Sequence, residues 1–75
     1  MNNRKKLIFA KEIPLKFDIS YPTVSYYTNL GLFTVVRRKA NKRLYYENEV
    51  RVKLDKIFRL SNEGYPLRLI CKKLR

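Results

Sequence analysis

The sequence predicts a mostly α-helical fold with a small β-hairpin, arranged as a winged helix-turn-helix of about four short helices plus a two-stranded wing. Apolar residues recur at helical spacing in four segments, and a β-branched, aromatic stretch beside a basic run interrupts them. Proline or glycine lies near most of the boundaries between these segments. With 75 residues, the chain fits one small domain over 7–75, preceded by a basic flexible arm at 1–6.

The first predicted helix is short. Ile13 and Phe17 are four residues apart, so a helix places both side chains on one face. Pro14 is compatible with a first turn but not with a helix interior, and we therefore expect the helix to begin close to it. The preceding segment 7–10 fits either a short strand or the lead-in to this helix.

A second helix is predicted from about Tyr21 to Leu30, after a turn at 18–20. Ser20 is a suitable N-cap, and Pro22 falls in the first turn, where proline is accepted. Gly31 provides the stop. The spacing predicts a buried stripe formed by Val24, Tyr27 and Leu30.

A basic hairpin is expected after this helix. The stretch 32–36 is β-branched and aromatic and predicts a first strand, and 44–46 predicts the returning strand. The run 37–43 between them holds five cations and is too charged to be buried. Asn41 tolerates a positive φ and suits the turn. Because Leu44 and Tyr45 are adjacent on a strand, one of the two is expected to face outward.

The last third of the chain predicts two more helices. Residues 47–62 begin with two glutamates, as the helix dipole favours, and Gly64 follows the helix end. Pro66 opens the final helix. The buried stripes predicted for the two helices are Val50, Leu54, Ile57 and Phe58 in the first, and Leu67, Ile70, Cys71 and Leu74 in the second. Tyr27 and Tyr65 are expected in the core or at its edge.

Charge is the strongest compositional signal. Eighteen Lys and Arg stand against six Asp and Glu, giving a formal net charge of +12. This excess indicates a polyanionic partner, with nucleic acid as the first candidate and an anionic membrane surface as the second. The chain contains no His, and Cys71 is its single cysteine. We therefore expect no enzymatic activity, no metal, no cofactor and a reducing, cytoplasmic setting.

Two groups of residues are candidate DNA contacts. In a helix-turn-helix, the start of the second helix meets base edges in the major groove, which here selects Ser20, Tyr21, Thr23, Ser25 and Tyr26. A narrow cationic hairpin fits a phosphate backbone, which selects Arg37, Arg38, Lys39, Lys42 and Arg43. The alternative interpretations are an ordinary helical hairpin with exposed polar groups and a solvated charge run that protects a strand edge.

Three stretches resemble the N-terminal DNA-binding domain of MerR-family transcription regulators. Residues 19–32 resemble the recognition helix, approximately VSxxTIRYYExxGLL, residues 38–45 resemble the wing motif NGYRLY, and residues 54–74 resemble the closing helix pair with its LGFSLEEI signature. The resemblance spans about residues 7–75. It implies a winged-helix fold and sequence-specific binding to promoter DNA, which the family distorts so that RNA polymerase can engage. Carried over by position, it places Thr23, Ser25 and Tyr26 on the DNA-facing helix, and Arg38, Arg43 and Tyr45 on the phosphate-contacting wing.

The sequence also departs from the family pattern. Ser25 stands where the family has an arginine before its tyrosine pair, Asn41 replaces the wing glycine, and Lys42 replaces the following tyrosine. The resemblance implies a homodimer formed through a segment beyond this domain, with double-stranded DNA as partner at the nucleoid. Two alternatives are an excisionase-like or nucleoid-anchoring architectural protein, and a basic module for an acidic protein or a membrane surface.

Overall fold

The computed structural model describes residues 6–74. It confirms the predicted class, because four helices pack with a small antiparallel sheet in the order of a winged helix-turn-helix. The elements are β1 (Leu7–Phe9), a 3-10 turn (Ala10–Glu12), α1 (Ile13–Lys16), α2 (Tyr21–Asn29), β2 (Arg37–Lys39), β3 (Lys42–Tyr46), α3 (Glu47–Asn62) and α4 (Leu67–Leu74).

The sheet has three strands where the sequence predicted two. Its order is β1-β3-β2, with both pairings antiparallel, so β3 is the central strand. Segment 7–10, which fitted either a strand or a helix lead-in, begins with the short strand β1 and continues into the 3-10 turn. The second half of β3 pairs with β1 and its first half with β2, and the two ladders overlap at Leu44.

The strand predicted over 32–36 is wrong, since β2 begins only at Arg37. Leu32 and Phe33 lie in an irregular segment after α2, and both are buried. Their N–H groups donate to the Tyr27 carbonyl, at 2.9 and 3.5 Å. Their β-type composition therefore reflects burial rather than strand pairing. One consequence is that β2 consists entirely of basic residues, and β3 begins with two more.

The hairpin turn consists of two residues, Ala40 and Asn41, with φ of 52° and 65°. A two-residue loop with positive φ at both positions matches the twist of the flanking strands. Asn41 tolerates this conformation, as the sequence suggested, whereas Ala40 carries a Cβ that disfavours it.

The core lies between the sheet and the helices. Tyr45 and Phe33 are its largest fully buried side chains, and their rings meet edge to face at 6.2 Å. Leu44 is also buried, so the prediction that Leu44 or Tyr45 faces outward is wrong. Both are covered because β3 is the central strand and packs under the helices.

Two aromatic residues predicted for the core or its edge are exposed. On α3 the buried residues are Val50, Leu54 and Ile57, a narrower stripe than predicted. Phe58 is 44% exposed and Tyr65 is 36% exposed. Phe58 lies about 100° around the helix from Ile57, beyond the face that packs on the core. On α4 the prediction holds better, because Ile70 and Cys71 are buried.

Only Lys6 of the predicted basic arm lies within the described residues, and the rest of that prediction concerns 1–5, outside them. Lys6 is anchored. Its carbonyl accepts from the Glu47 N–H at 3.0 Å, and its ammonium lies 3.5 Å from Glu47 Oε1. Lys6 thus contacts the start of α3, and the flexible arm stays a prediction.

Candidate nucleic-acid interface

The start of α2 is fixed by a side-chain cap. Ser20 Oγ accepts a hydrogen bond from the Thr23 N–H at 3.3 Å, and the two hydroxyl oxygens are 2.9 Å apart. This N-cap satisfies a backbone donor that the first helical turn would otherwise leave free. Ser20 and Thr23, both predicted DNA contacts, are therefore engaged first with each other.

The surface of α2 divides into three faces. Val24 is fully buried against the core. A second face, spaced at four and three residues, contacts β3 and consists of Tyr21, Ser25 and Thr28. A third face with the same spacing is exposed and consists of Pro22, Tyr26 and Asn29.

Two hydrogen-bonded connections join α2 to β3. At the helix start, Arg43 Nη2 donates to Tyr21 Oη at 3.2 Å and to Ser25 Oγ at 3.0 Å. Nearer the helix end, Thr28 Oγ1 donates to the Val24 carbonyl at 2.7 Å. A threonine hydroxyl has one proton, so the Tyr45 hydroxyl, 2.8 Å away, must be the donor to Thr28.

These contacts bring Arg43 of the wing to the start of α2. Tyr21 and Ser25 lie directly beside Arg43, whose guanidinium also lies 5.8 Å from the centroids of the Tyr21 and Tyr45 rings. Tyr26 lies on the exposed face of α2, with about half its surface accessible (52%). The start of α2 and the Arg43 side of the wing therefore form one surface.

Tyr45 is not part of that surface. The resemblance placed it among the phosphate contacts, but its side chain is 0% exposed. The ring packs against Phe33, and the hydroxyl is used by Thr28. Tyr45 lies two positions after Arg43 on the central strand, so its side chain points to the same face of the sheet. At that position the face is covered by α2, and Tyr45 is therefore buried.

The wing has an unusual charge pattern. Arg38 pairs across the strands with Arg43, and Lys39 pairs with Lys42, so two of the three register pairs of β2 and β3 join like charges. Directly opposed like charges destabilise a hairpin. Arg37, Arg38, Lys39 and Lys42 are all exposed.

Acidic residues are absent from this region of the sequence. No Asp or Glu occurs from Ile19 to Tyr46. Among residues 6–74, the ion pairs involve only Glu47, Glu49 and Asp55, and none of these acids pairs with a wing cation. The surface formed by α2 and the wing is therefore strongly electropositive.

Glu47 is an acid with three cations around it, whereas the wing cations have no acid as a partner in the ion pairs of residues 6–74. Its carboxylate lies within 3.5 to 3.7 Å of Lys6, Lys16 and Arg51. Partial burial opposes ionisation, but Lys16 and Lys6 outweigh it and hold the pKa of Glu47 below its ordinary value. The site ties Lys6, α1 and α3 together.

Sequence reasoning missed two residues at this surface. Asn29 is exposed one turn after Tyr26, and its amide could bond a base edge. Lys11 lines a groove with Pro14 and Tyr21. The helical spacing from Tyr26 could have identified Asn29. No sequence signal identified Lys11, because its place depends on how the 3-10 turn packs against α2.

Other site classes find little support in the described part of the chain. Residues 6–74 contain no cluster of three or more His, Cys, Asp or Glu side chains suited to a metal ion. The helices within the same range are too short or too polar to cross a bilayer.

Comparison with known families agrees with this geometry. The sequence model described as "MerR HTH family regulatory protein" matches residues 10–75, which is most of the chain. The chain belongs to the MerR family. MerR proteins are DNA-binding regulators of transcription, and in this member the helix-turn-helix is formed by α1 and α2. No curated protein and no solved structure matched the chain.

Proposed function

We propose that this MerR-family chain binds duplex DNA in a sequence-specific manner and thereby regulates transcription. In this proposal α2 enters the major groove, and the wing formed by β2 and β3 lies on the neighbouring phosphate backbone. The observation that carries the proposal is the hydrogen-bonded contact of Arg43 with Tyr21 and Ser25. It joins a helix face and a cationic hairpin on one side of the molecule.

Base recognition is assigned to the exposed face of α2. Tyr26 and Asn29 present a hydroxyl and an amide there, and Pro22 is an apolar neighbour one turn before Tyr26. An amide can bond adenine in a bidentate manner, and an apolar side chain can contact the thymine methyl group. Thr23 borders this face and is proposed to contact bases or sugars.

Phosphate contact is assigned to the wing. The opposed pairs Arg38–Arg43 and Lys39–Lys42 repel each other in the free protein, and a phosphate placed between them removes that repulsion. Arg37, also exposed, adds a further cation. Binding is therefore expected to release counterions and to weaken steeply as salt rises.

The partners beyond DNA follow from the family resemblance alone. We propose that two copies bind the two halves of a palindrome, and that the bound promoter is presented to RNA polymerase. A footprint with two equal half-sites separated by about one helical turn would support the dimer.

The experiment is a selection of bound sequences from a random duplex pool, followed by titration of the selected duplex at several salt concentrations. We expect an enriched motif and an affinity that falls by orders of magnitude between about 50 and 200 mM salt. Salt-dependent binding without an enriched motif would favour the architectural alternative. Binding to anionic vesicles but not to duplex would contradict the proposal and favour the membrane-surface alternative.

A further inference from the structure

The position of Arg43 gives it a second role besides its charge. Its side chain is only partly exposed, unlike those of the other four wing cations. One nitrogen, Nη2, is within hydrogen-bond distance of both Tyr21 Oη and Ser25 Oγ. Nη2 carries two protons, so both can be donated to α2.

The remaining donors of this guanidinium point elsewhere. An arginine has five N–H groups in a rigid planar fork. Within residues 6–74, the hydrogen bonds of Arg43 use Nη2 alone. The three N–H groups on Nε and Nη1 are therefore available to a phosphate oxygen while Nη2 holds the helix.

The departure of this chain from the MerR pattern explains why the contact can form. Ser25 stands where the family motif has an arginine. An arginine at that position has no acceptor for Arg43, whereas the hydroxyl of Ser25 accepts its hydrogen bond at 3.0 Å. The guanidinium of Arg43 on the wing thus lies beside Ser25, the helix position at which the family motif has an arginine.

We propose that Arg43 is a positioning residue that braces the wing against α2 through Tyr21 and Ser25, and so fixes the placement of the other wing cations on DNA. The inference rests on the proposed DNA binding. Preorganised groups bind more tightly because less ordering is needed on association. The brace also means that the Tyr21 and Ser25 hydroxyls act through Arg43 rather than by reading bases.

The decisive variant removes both acceptors without changing any charge. We expect Tyr21→Phe combined with Ser25→Ala to bind the selected duplex about tenfold more weakly, since a hydrogen bond to a charged group is lost at each position. The salt dependence should be unchanged, because no phosphate-neutralising cation is removed. The matched control is Tyr65→Phe with Ser61→Ala, which removes the same two groups at the corner between α3 and α4 and should bind like the wild type.

A double-mutant cycle separates bracing from direct DNA contact. Arg43→Ala alone should weaken binding further and lower the salt slope by about one. In the Arg43→Ala background, loss of the two hydroxyls should change affinity by less than about twofold. If the losses add instead, Tyr21 and Ser25 contact DNA themselves and the brace is wrong. Arg43→Lys should restore the salt slope but not the affinity, because an ammonium lacks the planar fork.

A measurement without DNA keeps the two proposals distinguishable. In 15N relaxation of the free chain, the amides of 38–43 should become more mobile on the nanosecond scale in the double hydroxyl variant than in the wild type or the control. Unchanged mobility would overturn the brace even if DNA binding holds. Failure of the wild type to bind any duplex would overturn the proposed function, whereas the relaxation data would still decide on the brace.

Discussion

The wing and α3 carry similar numbers of cations but differ in what surrounds them. On α3, Glu47 and Asp55 each lie one turn before an arginine, at 3.7 and 3.2 Å, and Glu49 lies one turn before Lys53. The wing has no acid in its sequence and sets cation against cation across its strands. Charge balance, rather than charge content, therefore distinguishes the two regions. A cation that already pairs with an acid of the same protein is less available to neutralise a phosphate. Fewer counterions are therefore released from the DNA when such cations approach it.

The largest expected effect tests this difference directly. The triple variant Arg37→Ala, Arg38→Ala, Lys39→Ala and the triple variant Arg51→Ala, Lys56→Ala, Arg59→Ala each lower the net charge of +12 by three. Each removes two arginines and one lysine. We expect the β2 variant to lose about 100-fold in duplex affinity and the α3 variant to lose less than about fivefold, by titration at constant salt.

The stability of the two variants sharpens the result. The β2 variant removes the Arg38–Arg43 and Lys39–Lys42 repulsions and should unfold at equal or higher urea concentration than the wild type. The α3 variant loses i,i+4 pairs and should unfold slightly earlier. Equal losses of affinity in the two variants would show that net charge alone drives binding, and the distinction between wing and α3 would fail.

The next effect concerns the buried connection between wing and helix. Tyr45→Phe removes the hydroxyl that donates to Thr28, while Thr28 keeps its own bond to the Val24 carbonyl. We expect the free energy of unfolding to fall by about 1 kcal/mol in urea denaturation. Tyr65→Phe, on an exposed tyrosine, should change it by less than about 0.5 kcal/mol. If Tyr45→Phe had the same free energy of unfolding as the wild type, the hydrogen bond between the Tyr45 and Thr28 hydroxyls would not stabilise the packing of β3 against α2.

Glu47, at the start of α3, gives a prediction about how stability depends on pH. The pKa of Glu47 is lowered in the folded state, so its contribution to stability is complete above the unfolded value and disappears as pH falls through the folded value. Glu47→Gln should therefore be less stable than wild type near neutral pH, and the difference should shrink in acid. Because the partner cations are largely exposed, we expect a smaller loss than for Tyr45→Phe.

The measurement is a pair of urea midpoints, at about pH 7 and about pH 3, for the wild type and for Glu47→Gln. Asp55→Asn is the control, because Asp55 is an exposed acid in a single ion pair with Arg59. If the difference between wild type and Glu47→Gln grew as the pH fell, the assigned direction of the Glu47 shift would be wrong.

Much of the fold was predictable because local signals agree with the tertiary structure. The predicted helix over 47–62 matches α3 in its bounds, since its acidic start and apolar spacing agree with each other. The Ser20 cap and the positive φ of Asn41 were also found as predicted. Where two local signals agree, packing has little reason to override either.

The failures all involve the way segments pack together. Leu32 and Phe33 have strand-like composition, but burial under α2 rather than pairing determines their conformation. Tyr45 matches a wing motif and is nevertheless covered, because a third strand and α2 enclose β3. The contact of Arg43 with Ser25 joins residues 18 positions apart, and no periodicity reports such a pair. The sequence thus predicted the candidate residues but not which of them contact one another.

The smallest expected effect lies at the tip of the wing. Ala40 has a φ of 52°, where its Cβ costs about 1–2 kcal/mol. Glycine removes this strain but loses up to about 1 kcal/mol through the greater freedom of the unfolded chain. Ala40→Gly should therefore stabilise the domain by about 0.5 kcal/mol in urea denaturation, and Asn41→Ala should destabilise it, since alanine accepts a φ of 65° less readily than asparagine. Both substitutions keep every wing cation, so salt slopes should be unchanged. A loss of DNA affinity in Ala40→Gly would show that the rigidity of the turn, in addition to the Arg43 contact, holds the cations in place.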